Sequence, residues 1–205
     1  GLEGAGVVGQ VGECVGGHQG TDLRSSGWWN YSSSALIVPT WNRPRELAAC
    51  LDAIAALDYP DERFEVIVVD DGSEPPVAPL DRLRPGLRAT LLRQANAGPA
   101  AARNAGARVA TGEVLAFTDD DCLPQRGWLR AIASSIANDP AALHGGRVDN
   151  TLGDNPWSIA SQTIIEVMIP HLMAVGSALR FQTSNNLSLA ADAYRAAGGF
   201  DERFR

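Results

Sequence analysis

The sequence predicts an α/β fold, a mostly parallel sheet flanked by helices in three α/β/α layers. Two observations carry this. Ala35-Leu36-Ile37-Val38, Val66-Ile67-Val68-Val69 and Val114-Leu115-Ala116-Phe117 are short, wholly apolar runs. They lack the polar alternation of a half-solvated strand and so read as strands buried on both faces. Between them lie segments with apolar residues at helical spacing, the alternation that builds βαβ units. The 205 residues suit one large domain, or one domain and an appendage, at roughly 150 residues per domain.

Taken in order, residues 1–34 are rich in Gly and Ser, with no sustained period. Gly4-Ala5-Gly6-Val7-Val8-Gly9 matches a dinucleotide-binding glycine pattern, but no strand precedes it and no helical pattern follows. A flexible or foreign leader outside the fold is expected there. Pro39 and Thr40 end the first strand. Pro44 suits the first position of a helix, and Leu47, Leu51, Ile54 and Leu57 give that helix an apolar face before Tyr59-Pro60 stops it. Asp70-Asp71-Gly72-Ser73 is a turn after the second strand, and Pro75, Pro76 and Pro79 keep the next stretch in a loop. Residues 87–92 form a third strand. Pro99 opens an Ala-rich helix to about Ala110, and Gly112 follows it. The fourth strand, 114–117, ends at Asp119-Asp120-Asp121. A helix over 128–136 and a fifth strand within 143–148 complete this part. After about Asn150 the alternation is lost. Residues 156–175 look helical but are interrupted by Pro170. Short strands are expected at 181–184 and 187–190, then a helix over 191–197 closed by Gly198-Gly199.

Composition removes several functions. The net charge is −7, from 24 acidic and 17 basic residues, and every one of the 17 is Arg. Without a basic stripe, nucleic-acid binding is not expected. A phosphorylated small molecule remains open, given a few Arg side chains or a metal. Three cysteines, Cys14, Cys50 and Cys122, are odd in number and lack metal-ligand spacing, so neither a disulfide framework nor a zinc site is expected. A reducing compartment fits. Residues 158–179 include Gln162, Glu166, Pro170 and His171, which disfavours a membrane span. The first residues lack a signal-peptide pattern. A cytoplasmic location is expected, and Asn30-Tyr31-Ser32 and Asn186-Leu187-Ser188 then carry no weight as glycosylation acceptors. His144 and His171 have no partner at ligand spacing and read as structural.

In parallel sheets ligands bind beyond the carboxyl ends of the strands. Three polar clusters fall there: residues 39–43, 70–73 and 119–121. Three adjacent carboxylates repel one another, and a divalent cation offsets that cost. In extended backbone Asp119 and Asp121 point one way and Asp120 the other. Two carboxylates on one side suit Mg2+ or Mn2+, which take one or two carboxylates plus substrate phosphates. A solvated acidic turn is the alternative. Asp70 and Asp71 either accept hydrogen bonds from a base or ribose, or make a plain turn. Trp41 either stacks on a nucleobase or covers the core edge. Arg103 either reaches a phosphate and braces the aspartates, or faces solvent. Cys122 follows the aspartates, whose charge raises a thiol pKa and makes it a poor nucleophile.

These segments, in this order, resemble the family 2 glycosyltransferases. The resemblance rests on residues 36–43 (LIVPTWNR), 68–73 (VVDDGS), 96–104 (NAGPAAARN), 117–121 (FTDDD) and 198–204 (GGFDERF). It covers 35–205 and implies a GT-A, Rossmann-like fold. Residues 35–150 would then form the nucleotide-binding part, and 151–205 an incomplete acceptor part. It implies inverting transfer of a sugar from a nucleotide-diphosphate donor to a hydroxyl acceptor (a glycan, a lipid-linked sugar or a small molecule). Pro39, Thr40, Asn42 and Arg43 would shape the nucleoside pocket, and Asp71 would bind the base, usually uracil, which points to UDP. Asp119 and Asp121 would form the DxD motif, with Asp119 toward the ribose and diphosphate and Asp121 on Mn2+ or Mg2+. Asp120 would border the nucleotide, and Arg103 would support the departing charge. Asn185 and Asn186 match the stretch near the sugar and acceptor. The family's general-base motif follows the GGFDE stretch, beyond Arg205, so a truncated fragment that binds donor but transfers poorly is expected. Peripheral contact with the inner face of the cell membrane is compatible with this class. Two rivals stand beside it: a non-catalytic nucleotide-sugar-binding module, and a sugar nucleotidyltransferase. The latter would carry a Gly-rich basic loop where this chain has residues 39–43. An NAD-dependent dehydrogenase lacks its glycine fingerprint.

Overall fold

The computed structural model describes residues 9–11, 33–78, 80–151, 155–157, 159, 160, 162–164, 166, 167 and 182–204. Expectations placed on the rest of 1–32, on Pro79, on His171, on Phe181 and on much of 156–175 lie outside the described residues. The described residues of 156–167 are helical.

In chain order the elements are β1 (Gly9–Val11), β2 (Ser34–Thr40), α1 (Pro44–Ala55), β3 (Phe64–Asp70), β4 (Arg88–Arg93) and α2 (Pro99–Val109). They continue with β5 (Val114–Phe117), β6 (Cys122–Pro124), α3 (Trp128–Asn138), β7 (His144–Gly145), β8 (Val148–Asn150), β9 (Leu187–Ala190) and α4 (Ala191–Ala197). A six-stranded sheet runs β4-β3-β2-β5-β9-β7. The first four strands are mutually parallel, while β9 runs antiparallel to β5 and to β7. Every residue of β2, β3 and β5 is buried, as the apolar runs within them require.

Helices cover both faces. On one, Leu47, Leu51 and Ile54 of α1 and Trp128, Leu129 and Ile132 of α3 pack with Leu36, Val38, Val66 and Val68. On the other, Ala102 and Ala107 of α2 pack with Ile37, Ile67, Val69, Leu115 and Phe117. Each large aliphatic side chain buried this way contributes about 1.5–3 kcal/mol. Alternate residues of one strand thus serve different helix layers, which makes the three-layer α/β/α architecture.

Three expectations change. β2 runs on through Pro39 and Thr40. The carbonyl of Ile37 accepts from Thr118 on the β5 side, and the carbonyl of Thr40 accepts from Asp71 on the β3 side. By the two-residue period, the missing N–H of Pro39 falls on the β5 side, where ladder pairing has ended at Ile37–Phe117. The predicted fifth strand is two pieces in two sheets, β7 and β8, broken at Gly146, whose N–H donates to Asn186 O (3.3 Å). Finally, the expected leader is not wholly outside the fold: Gly9–Val11 pairs parallel with β6 and antiparallel with β8. Three residues need no apolar period to join a ladder, because the backbone groups alone make it. Among the described residues no helix is long and apolar enough to cross a membrane.

Helix α2 lies close to the sheet because Gly106 has no side chain. A Cβ there would sit 2.6 Å from Ile37 Cγ2 and 3.2 Å from Val69 Cγ2. Gly106→Val is therefore expected to lower stability by about 2–3 kcal/mol, overpacking outweighing any gain in helix propensity, as read by urea denaturation.

Candidate functional site

The carboxyl ends of β2, β3 and β5 open on a cleft of about 430 Å³. Pro39, Thr40, Arg43, Asp71, Arg103, Asp119 and Asp120 line it, as does the half-exposed Trp41. Asn42, Asp121, Asn185 and Asn186 are not on its wall.

The three aspartates are not extended. Cys122 N–H donates to the Asp119 carbonyl (3.1 Å), which makes residues 119–122 a turn. Asp119 turns to Arg103, with which it forms an ion pair. Asp120 and Asp121 share the Arg43 guanidinium, Nη1 lying 3.3 Å from Asp120 Oδ1 and 2.8 Å from Asp121 Oδ2. The expected separation of Asp120 from Asp121 therefore does not hold, because the turn replaces strand alternation. Asp120 is 4% exposed and accepts the Thr40 hydroxyl at 2.6 Å. Burial pushes its pKa up to about 6, against the pull of Thr40 and Arg43. Burial also raises Asp121, with Arg43 opposing. Cys122 is buried, and its thiol is pushed up to about 12 by burial and by Asp119 and Asp121.

The second cluster is a hydrogen-bonded frame. Asp71 Oδ1 accepts from Gln94 Nε2 (2.7 Å) and Ala97 N–H (2.9 Å), and Oδ2 accepts from Gly98 N–H (2.8 Å). This carboxylate ties β3 to the loop before α2. Gly72 allows the approach: its φ is +83°, and a Cβ there would stand 2.9 Å from Asn96 N. Asp70 accepts from Ser73 N–H (2.8 Å), Val77 N–H (3.2 Å) and Arg93 (3.0 Å). Burial alone would raise Asp70, but the bonds from Ser73 and Val77 and the Arg93 charge hold it below the ordinary range.

Asn42, expected to shape the nucleoside pocket, adopts φ 54° and is not on the cleft wall. Its N–H donates to Ser73 Oγ (3.0 Å) and its Oδ1 accepts from Glu74 N–H (2.7 Å). Asn186 is 2% exposed and braces the core, accepting from Trp128 Nε1 (3.0 Å) and donating to Arg147 O (3.2 Å). Asn185 keeps a buried Oδ1 without a hydrogen-bond partner. Gln94 and Asn96 carry weight that the sequence reading did not assign. They follow β4, a fourth parallel strand end, and the rule that singled out the other three loops applies to them equally.

Among the described residues no group of three or more His, Cys, Asp or Glu side chains is clustered to hold a metal alone. Asp119 and Asp121 offer hard carboxylate oxygens at 30% and 17% side-chain exposure. Mg2+ and Mn2+ take one or two protein carboxylates and complete their shell elsewhere, so these two could hold either ion only by giving up their pairing with Arg103 and Arg43.

The chain belongs to glycosyl transferase family 2, whose sequence pattern matches residues 35–196. It is 33% identical over 120 residues to the glycosyltransferase AglE of Haloferax volcanii, covering 57% of this chain and 40% of AglE. It is 29% identical over 177 residues to the pre-mycofactocin glycosyltransferase of Mycobacterium tuberculosis, covering 82% and 35% respectively. The chain thus spans less than half the length of these curated relatives. The mannosyltransferase PcManGT of Pyrobaculum calidifontis, solved with GDP-Man and Mn2+, superposes with a TM-score of 0.62 at 23% identity. That match covers 85% of this chain and 52% of PcManGT, and the shared fold is GT-A.

Asp120 generates a pH dependence. It titrates at 3.8 ordinarily and about 6 when folded, so between these values the folded state binds more protons. Its contribution to stability is full below about pH 4 and is lost as pH rises to 6. In metal-free buffer Asp120→Asn is expected to remove this loss, up to about 3 kcal/mol across the window. Urea denaturation of both proteins at pH 4, 5 and 6.5 measures it.

Proposed function

We propose that this chain is the donor-binding part of an inverting glycosyltransferase that moves a sugar from UDP to a hydroxyl acceptor with a divalent metal. The observation that carries the reading is one cleft wall on which Arg43 and Arg103 flank the aspartate turn at the carboxyl end of a parallel sheet. Two fixed guanidinium groups suit a diphosphate, which they meet with directed, charge-assisted hydrogen bonds.

The base end of the cleft supports uracil. Asp71 Oδ1 already accepts two donors and Oδ2 one, which leaves the carboxylate a single further lone pair. Uracil presents one imide N–H there; guanine presents two adjacent donors and would leave one unmet. Trp41 gives a flat aromatic face beside this point. At the other end Asp119 and Asp121 would hold Mn2+ or Mg2+, which supplies Lewis-acid neutralisation of the leaving diphosphate. Arg103 stabilises the same developing charge from a buried position, where a preorganised charge acts most strongly. Asp201 is paired with Arg203, and Glu202 accepts from Asn104, so neither is assigned the proton from the acceptor. The negative surface and the Arg-flanked cleft match the small-molecule donor rather than a nucleic acid.

Calorimetric titration of UDP with Mn2+ and then with EDTA tests the reading. Metal-dependent binding that is lost in Asp121→Ala and weakened at least tenfold in Arg103→Ala is expected. UDP binding unaffected by EDTA and by both substitutions would overturn the site, and tighter binding of GDP than UDP would overturn the base assignment.

A further inference from the structure

Arg103 is buried and keeps one unmet donor. Its side chain is 9% exposed, one guanidinium nitrogen pairs with Asp119, and its buried Nε has no hydrogen-bond partner. A further contact is aromatic: the guanidinium carbon lies 5.5 Å from the centre of the Phe200 ring. Phe200 lies near the end of the given sequence, and both of its backbone polar groups are held. The amide of Asn104, the residue after Arg103, reads both polar groups of the Phe200 backbone. Its Oδ1 accepts the Phe200 N–H (2.9 Å) and its Nδ2 donates to the Phe200 carbonyl (2.9 Å). The same amide accepts the Tyr194 hydroxyl and donates to Glu202 Oε1 (2.8 Å), so it uses its full donor and acceptor capacity. Gly199 makes the approach feasible, with φ +78° and space for no Cβ, which would fall 2.8 Å from Asn104 Oδ1. The Phe200 ring stands edge-to-face on Phe117 at 5.2 Å and 88°. Phe117 ends β5, two residues before Asp119.

We propose that Phe200, fixed by Asn104, is a positioning residue that holds the Arg103 guanidinium in its diphosphate-binding orientation. The inference rests on the donor-site reading above. The ring registers Arg103 against the end of β5, the element that also carries Asp119. When a phosphate competes for the guanidinium, the Asp119 pair weakens but the ring contact stays. Arg103 therefore keeps its plane, with Nε free to donate. Residues 198–202 lie in the segment after β9 and α4, so the second part of the chain sets the geometry of a charge used by the first.

The test separates phosphate recognition from nucleoside recognition. UDP and uridine are titrated by calorimetry, with Mn2+, into the wild-type chain, Phe200→Leu and Phe200→Tyr. Phe200→Leu keeps an apolar group but removes the π face that attracts a cation. The expected result is a five- to tenfold loss of UDP affinity in Phe200→Leu, less than twofold change for uridine, and recovery of UDP affinity in Phe200→Tyr. Asn104→Asp, which cannot donate to the Phe200 carbonyl, is expected to move the same ratio in the same direction, and it stands in should Phe200→Leu fail to fold. Equal losses for UDP and uridine would show a general disturbance and overturn the proposal, as would unchanged UDP affinity in a folded Phe200→Leu. A wild-type chain that binds neither ligand would overturn this proposal together with the donor-site reading, whereas normal wild-type binding with insensitive variants overturns this proposal alone.

Discussion

Asp119, Asp120 and Asp121 place three carboxylates in one turn at the end of a strand buried on both faces, and the site is organised around offsetting that charge. Two guanidinium groups from opposite sides do so, Arg43 from the start of α1 and Arg103 from within α2. Further buried carboxylates fix two adjoining loops, one that meets Asn42 beside Arg43 and one that leads into α2. Asp70 holds residues 73–77, and Asp71 holds residues 94–98. A buried carboxylate is tolerable only when its lone pairs are met, so each aspartate both requires and creates local order. The cleft is a by-product of that order: its walls are loops drawn in by hydrogen bonds, not a gap left by poor packing.

The same logic explains why β2 and β3 carry their cleft-forming polar residues at their carboxyl ends, while the buried Glu65 near the start of β3 is met at the opposite end by Thr111 and Gly112. The apolar runs bind the layers together, and the first polar residue beyond each run meets its partners from another loop. Thr40 reaches Asp120 across 80 residues of sequence, and Ser73 reaches Asn42 across 31. The cleft is thereby confined to the carboxyl ends of the strands, while the faces pack against the helices.

Much of the fold was legible because it rests on local patterns. The boundaries of β5 and of α4 follow directly from residues 114–117 and 191–197, and Pro44 and Pro99 mark the starts of α1 and α2. The candidate site was legible as a set of positions at strand ends, but its internal geometry was not. Strand alternation assigns Asp120 and Asp121 opposite directions, and a single turn hydrogen bond from Cys122 cancels that. Asn42 and Asn186 carry side chains suited to a ligand, yet both are bound by protein partners, and which partner meets an amide is a tertiary fact. Gly9–Val11 shows the limit from the other side. Its pairing is through the backbone, which leaves no trace in side-chain pattern.

Pro39 in the middle of the sheet has a consequence for how the fold stays open. β2 is the central parallel strand from which the chain proceeds to β3 and β4 on one side and, later, to β5 on the other. Two neighbouring strands of this kind gain one more backbone hydrogen bond with each further residue they pair. Pro39 has no N–H to offer at that step. Continuing β5 along β2 past Phe117 would bring a carbonyl to a position with no donor, and the two strands part there, at the mouth of the cleft. An imino acid thus acts as a wedge that works together with the turn at 119–122 to part the two strands.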